Sequence, residues 1–350
     1  MAGTRPKAEA PAIRIHRSFC ASIIMNAPPR LAGIAALLFA TASWGGMFLV
    51  SKDVLAQVDP MWLTFIRYSM SALLFAALLL VRGAAPWRQL RAQAAPLALR
   101  GVAGFGVFSV LLLAGLARSV PSHGAILMAT TPISAQLLRW ALDGIRPSRV
   151  TIASTLLALA GVAIVSGLLL GPDAQDPGAS TLVGDAIAFV GTLGWVWYTR
   201  GAARFPQLNA VDYSALTVLA AWPLLLAGTV VSTALDLAEA PSAEGLRQCA
   251  PALLYVGVVS SAVAVLAFNL GVRSLGPVTG TAFLNFVPVS TMLMSAAMGK
   301  APTGSEILGM SMVVVALLVH TATSRTASPA RAPATAACGQ NGALTCKAAP

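Results

Sequence analysis

Long apolar stretches separated by short polar breaks set the rhythm of this chain. Stretches of about 20 residues, the length a helix needs to cross ~30 Å of hydrocarbon, run over 31–50, 61–81, 96–116, 122–142, 150–170, 182–199, 212–232, 250–270, 279–298 and 304–321. The pattern predicts an all-α membrane protein with ten transmembrane helices. The short connections from Arg118 to Pro121 and from Arg273 to Pro277 each hold a proline, which suits a helix start.

A second rhythm lies over the first. Pro121, Gly124 and Pro132 return as Pro277, Gly280 and Pro288, each 156 residues later (277−121, 280−124, 288−132), within SVPSHGAILMATTPIS and LGPVTGTAFLNFVPVS. Ser134 and Ser290 keep the same register. The chain therefore divides into a basic tail 1–30, a first repeat 31–170 (helices 1–5), a linker 171–181, a second repeat 182–321 (helices 6–10) and a tail 322–350. Five is an odd number of crossings, so the second repeat must enter the membrane from the opposite side, and the repeats are inverted. Nested repeats of this kind are the signature of a carrier.

Composition agrees with lipid as the solvent: 57% of residues are hydrophobic and 10% charged, and the mean hydropathy is +0.77. The net charge of +11 is unevenly placed. With both termini inside, sixteen lysines and arginines fall on inner segments, against Lys52, Arg118, Arg247 and Lys300 outside. That bias is the positive-inside pattern of a multi-pass inner-membrane protein, and it reads as topology and attraction to anionic lipid, not as nucleic-acid binding. Arg100 and Arg139 lie at inner helix ends, where long side chains can snorkel to the headgroups. The Pro/Ala-rich start lacks a convincing cleavage site, and Met25 would make a normal lead-in, so residues 1–24 read as an extension or a mis-set start. The Ala/Thr/Pro-rich tail 322–350 reads as disordered. Cys20, Cys249, Cys338 and Cys346 have no metal spacing.

The blocks TASWGGMFLVSK, DPMWLTFIRYSMSALL, PSHGAILMATTPISAQLL and LAFNLGVRSLGPVTGTAFLNFVPVSTMLM occur in an order that resembles the drug/metabolite transporter superfamily, in its EamA-like branch of ten-helix carriers. The resemblance covers about 31–321 and implies a secondary transporter, an exporter of a small polar or amphipathic metabolite. Members often carry a glutamate soon after helix 4 and again after helix 9, where this chain has Asp143 and Lys300.

Candidate chemistry is sparse. Arg67 lies six residues after Met61, about 9 Å along the helix from its outer end. A guanidinium at that depth is costly unless it faces protein or water. It reads as a forked donor for an anionic group, as a snorkelling residue or as a structural cap on a helix end. Thr217 occupies its place in the second repeat (217−67 = 150, on the Asp59/Asn209 alignment), so the site is asymmetric. Trp44 and Trp195 each lie thirteen positions into the first helix of their repeat (44−31, 195−182), at mid-depth, as cavity walls or core packing. Gly45 and Gly46 favour close helix approach. Trp197 and Tyr198 read as belt residues. Asn285, Gln136 and Asn269 are polar candidates for the substrate site or for interhelical hydrogen bonds, and Pro132 and Pro288 are candidate hinges or simple kinks. His123 and Asp185 are the candidates for proton coupling, with structural roles as the alternative.

His16, His123 and His320 are scattered, and no paired intramembrane carboxylates, metal-spaced ligands, Walker A motif or cofactor signature appears. The sequence thus points away from an enzyme or ATP-driven pump. The expected partners are a small-molecule substrate and membrane lipid, with a homodimer left open. A receptor or lipid-handling protein using the same cavity is the alternative.

Overall fold

The computed structural model describes residues 30–165, 169, 179–201, 204–275, 283, 284 and 286–326, and every element among them is helical. In chain order these are α1 (Arg30–Val54), α2 (Pro60–Arg82), α3 (Ala84–Ala92) and α4 (Ala94–Arg118). Next come α5 (Pro121–Ala129), α6 (Thr131–Asp143), α7 (Arg149–Val165), α8 (Ala179–Gly201), α9 (Ala210–Ala234) and α10 (Ala243–Gln248). The helix α11 runs through Ala250–Leu254, Tyr255–Val263 and Ala264–Leu275, and α12 (Phe286–Ala297) and α13 (Gly304–Thr326) complete the bundle. Asp59 and Asn209, aligned across the repeats, both cap their helices: Asp59 accepts from the Met61 N–H at 2.7 Å and Asn209 from the Asp212 N–H at 2.9 Å.

Six of the described helices are individually long and apolar enough to cross a membrane: Arg30–Val54, Pro60–Arg82, Ala94–Arg118, Ser180–Gly201, Val211–Ala234 and Ala250–Val272. The other apolar helical stretches, Ile152–Gly161, Phe286–Ala297 and Gly304–Ala316, are shorter, and the span expected over 122–142 is two helices, broken at Thr130. Pro132, in the first turn of α6, explains the break. Without an N–H it cannot serve the Met128 carbonyl one turn back. The Thr131 hydroxyl donates to that carbonyl instead, at 2.5 Å, and the Thr130 hydroxyl donates to Leu127 O at 2.7 Å. In the second half, Leu284 is a turn residue and α12 starts at Phe286, two residues before Pro288.

Packing is reciprocal between the halves. α1 lies against α11 and α12, while α8 lies against α4, α5 and α6. α2 packs on α9 and on the middle of α11; α9 packs on α2 and on α4; α7 pairs with α13. Gly45 makes the α1–α12 approach feasible, because a Cβ there would sit 2.0 Å from Ser290 Oγ and 2.9 Å from the Thr291 backbone nitrogen. Ser290 and Thr291 use that proximity to donate to the Thr41 and Gly45 carbonyls at 3.3 and 3.1 Å.

Both α4 and α11 contain a π-helical stretch, at Val102–Val107 and Tyr255–Val263. Shifting the first by the repeat interval of 156 gives 258–263, inside the second. Such wider turns free backbone carbonyls and recur at functional positions.

Candidate functional site

The two π-helical stretches face one central cavity. Its wall is made by Trp44, Met47 and Phe48 of α1, Arg67 and Tyr68 of α2, Phe105 and Phe108 of α4, Met128 of α5, Trp195 of α8, and Ser260, Ser261 and Val265 of α11. Both halves of the chain therefore contribute, and Arg67, Trp44 and Trp195 meet there as wall residues.

Arg67 is 4% exposed. Its Nε donates to Ser261 Oγ at 2.8 Å, and its guanidinium carbon lies 4.8 Å from the centre of the Tyr68 ring. Nη1 is buried with no hydrogen-bond partner, and among the described residues no carboxylate pairs with the side chain. The snorkelling alternative fails, since the side chain turns into the bundle. A buried guanidinium with an unused donor is a high-energy arrangement unless an acceptor arrives, because desolvation has been incurred without the compensating bond.

The π turn of α11 holds this wall in place. Ser261 Oγ donates to Val256 O, five residues back, at 2.7 Å. Trp44 Nε1 donates to Ser260 O at 3.0 Å, Ser71 Oγ to Gly257 O at 3.1 Å, and Tyr255 Oη to Ser43 O at 2.8 Å. Trp44 also lies 5.2 Å from Phe268 between ring centres, whereas Trp195 packs on Phe108 at 5.4 Å and on Tyr198 at 5.2 Å. Tyr198 is buried, stacks on Tyr213 at 5.1 Å and bonds with Ser214 at 3.2 Å. It is thus a core residue, not a belt residue as its position near a helix end implied; the aromatic cluster of α4 and α9 covers it.

The cavity is small, about 30 Å³, room for two or three waters at ~10–15 Å³ each. Metabolite sites occupy ~300–1,000 Å³, so a ligand of that size would fit here only with the helices further apart. Contacts at both ends oppose that. At the end holding Lys52, its ammonium donates to the carbonyls of Leu116, Ala117 and Ser119 at 2.9, 2.9 and 2.6 Å, capping the negative end of α4. Beside it, Ser119 Oγ donates to Asp185 Oδ1 at 2.5 Å and His123 Nδ1 lies 2.9 Å from Asp185 Oδ2. His123 and Asp185 are buried and form one cluster joining α5 to α8. Asp185 is covered by α5 and by Ser119 just past the end of α4. At the opposite end, Arg82 pairs with Asp212 at 2.5 Å, and Arg200 grips both oxygens of Asp143. That grip holds the Asp143 carboxyl below the usual carboxylate range.

Other expected site residues fall elsewhere. Asn269 Nδ2 donates to Ser214 Oγ at 2.8 Å, tying α11 to α9 away from the cavity wall. Pro288 is buried near the start of α12 and does not line the cavity. Asn285 and the side chain of Gln136 lie outside the described residues. Sequence reasoning passed over Ser260 and Ser261, although a serine pair inside the apolar run VGVVSSAVAVLAF was a visible signal. It also passed over Tyr68, Phe105 and Met128, which look like ordinary core until the packing of three helices brings them to one cavity.

A solved crystal structure of a protein shares the fold, with a TM-score of 0.60 at 20% identity, covering 85% of this chain and 99% of the other. Among relatives by sequence, the uncharacterized transporter YrdR of Bacillus subtilis (strain 168) is 29% identical over 294 residues, 82% of this chain and 90% of its own. The uncharacterized inner membrane transporter YedA of Escherichia coli (strain K12) is 23% identical over 284 residues, 79% of this chain and 87% of its own. The model of the EamA-like transporter family matches residues 31–167 and again 182–322. With two copies of that unit spanning most of its length, this multi-pass membrane protein belongs to the EamA-like transporter family.

Proposed function

We propose that the protein is a secondary carrier that moves a small amphipathic metabolite bearing an anionic group out of the cell by alternating access. The observation that carries this reading is the unpaired Arg67 guanidinium facing a cavity built from both halves of the chain. The anionic group would take the free Arg67 donors, and the apolar remainder would lie on Trp44, Phe108 and Trp195. Direction rests on the resemblance to exporters.

In this reading the units 31–170 and 182–321 are inverted five-helix repeats, ten crossings in all, with both termini cytoplasmic. The reciprocal packing and the matched π turns support the symmetry. Opening toward the outside separates Lys52 from the end of α4 and α5 from α8; opening inward breaks Arg82–Asp212 and Arg200–Asp143. Exposure of the His123–Asp185 pair in one of these states is what makes it the candidate for proton coupling. Counterflow in proteoliposomes tests the reading with a panel of labelled organic anions. Accumulation of label against its gradient supports a carrier, and saturable binding with no counterflow for any panel member points to a receptor.

A further inference from the structure

We infer a second anion site, for the phosphate of an anionic phospholipid headgroup, in the cavity of about 190 Å³ between α4, the end of α6 and the end of α8. Arg100, Trp197, Arg200, Arg204 and Asp143 line it. The charge pattern places Arg100 at a helix end, where its side chain is free to reach water, yet it is only 6% exposed. Its Nε is buried without a hydrogen-bond partner, and its guanidinium carbon lies 5.5 Å from the centre of the Trp197 ring. The acid lining the cavity does not answer this charge, because both Asp143 oxygens are held by Arg200. Arg100 and Arg204 remain as two cations with no ion pair among the described residues.

A buried guanidinium nitrogen without an acceptor is costly, and a phosphate supplies what is missing: charge and several acceptor oxygens in reach of a planar fork. Size argues for a headgroup over a whole metabolite, since the space falls below the ~300 Å³ of typical small-molecule sites. Position argues the same way. Leu142, at the cavity wall, is about half exposed, an apolar surface on which an acyl chain can lie. Basic pockets between membrane helices at headgroup depth are a known means of holding anionic lipids. The inference is independent of the substrate reading at Arg67.

Native mass spectrometry of the purified protein tests it, with phosphatidylglycerol, phosphatidylcholine of the same chains, and inorganic phosphate as probes. The expected result is a single tight phosphatidylglycerol adduct, preferred over phosphatidylcholine by about ten-fold or more. Arg100→Gln should abolish that preference and Arg204→Gln should weaken it about five-fold, the effect of one arginine near an anionic headgroup. Arg88→Gln, exposed on α3, should leave it within two-fold of the parent. Melting curves check folding, and if Arg100→Gln does not fold, the exposed Arg204 variant carries the test. The inference is overturned by unchanged preference in the folded variants, by an equal loss in Arg88→Gln, which marks diffuse attraction, or by phosphate binding without phosphatidylglycerol preference, which marks a soluble anion.

Discussion

Replacing Asp185 by alanine removes the acceptor of two buried donors at once, Ser119 Oγ at 2.5 Å and the His123 ring at 2.9 Å. Both contacts are buried, where a lost acceptor is not replaced by water. Breaking a buried pair by deleting one partner costs about 3–5 kcal/mol, so Asp185→Ala should fall in that range. Asp185→Asn keeps the shape and an acceptor for Ser119 while removing the charge, and about 1–3 kcal/mol is expected. The decisive quantity is the cycle with His123→Ala. If the groups stabilise one another across the α5–α8 contact, the double variant should be less destabilised than the sum of the singles by about 0.5–3 kcal/mol. Unfolding of the purified protein in mixed micelles by titration with a denaturing detergent measures all four species. Additivity within about 0.3–0.5 kcal/mol would refute the reasoning, because side chains that do not interact are free to add.

Three further outcomes are expected. Gly45→Val should destabilise by at least about 1–3 kcal/mol and loosen α1 from α12, since its Cβ meets Ser290 and a backbone nitrogen; an unchanged melting temperature would deny the close approach. Single cysteines in 171–181 should label from the outside, and those in 83–94 and 201–210 from the inside; labelling of 171–181 only from the cytoplasm would overturn the inverted topology. The Asp143 carboxyl, depressed by Arg200, contributes stability above its unfolded pKa that is lost as pH falls through the lower folded value. The stability difference between parent and Asp143→Asn should therefore hold from pH 7 to 5 and shrink only as the medium becomes strongly acid; a loss already complete at pH 5 would contradict the pairing.

Membrane spans and the duplication were legible because they depend on long apolar runs and on residues with unique backbone behaviour. Pro132 and Pro288, aligned across the repeats, both fall in the first turn of a helix, α6 and α12. The inward aim of Arg67 was legible for a related reason: at its depth a guanidinium has few tolerable surroundings. What the sequence could not give was the convergence of distant elements. His123 and Asp185 were each read as isolated polar residues, and only the packing of α5 on α8 makes them one cluster. Arg100 sits at a helix end, as a snorkelling residue does, and its burial comes from the end of α8, a hundred residues away. The π turns were invisible because residues such as Val102 and Val256 carry no local signal for a wider helix; it is the crossing contacts of Trp44, Ser71 and Arg67 with α11 that hold the second one.

The central claim is that Arg67 holds an anionic group of the substrate, and binding to purified Arg67 variants tests it most directly. A panel of small carboxylates and phosphates is screened by melting temperature, since a ligand of the folded state raises it by mass action, and the best binder is then titrated. Arg67→Lys retains charge but loses the planar fork, and Arg67→Gln loses both. Losing one partner of a buried charged contact costs about 2–5 kcal/mol, so each variant, shown folded by its own melting curve, should bind at least about 30-fold more weakly than the parent. Parent-like affinity in both folded variants would contradict the account and leave Arg67 as a structural element of the α2–α11 contact.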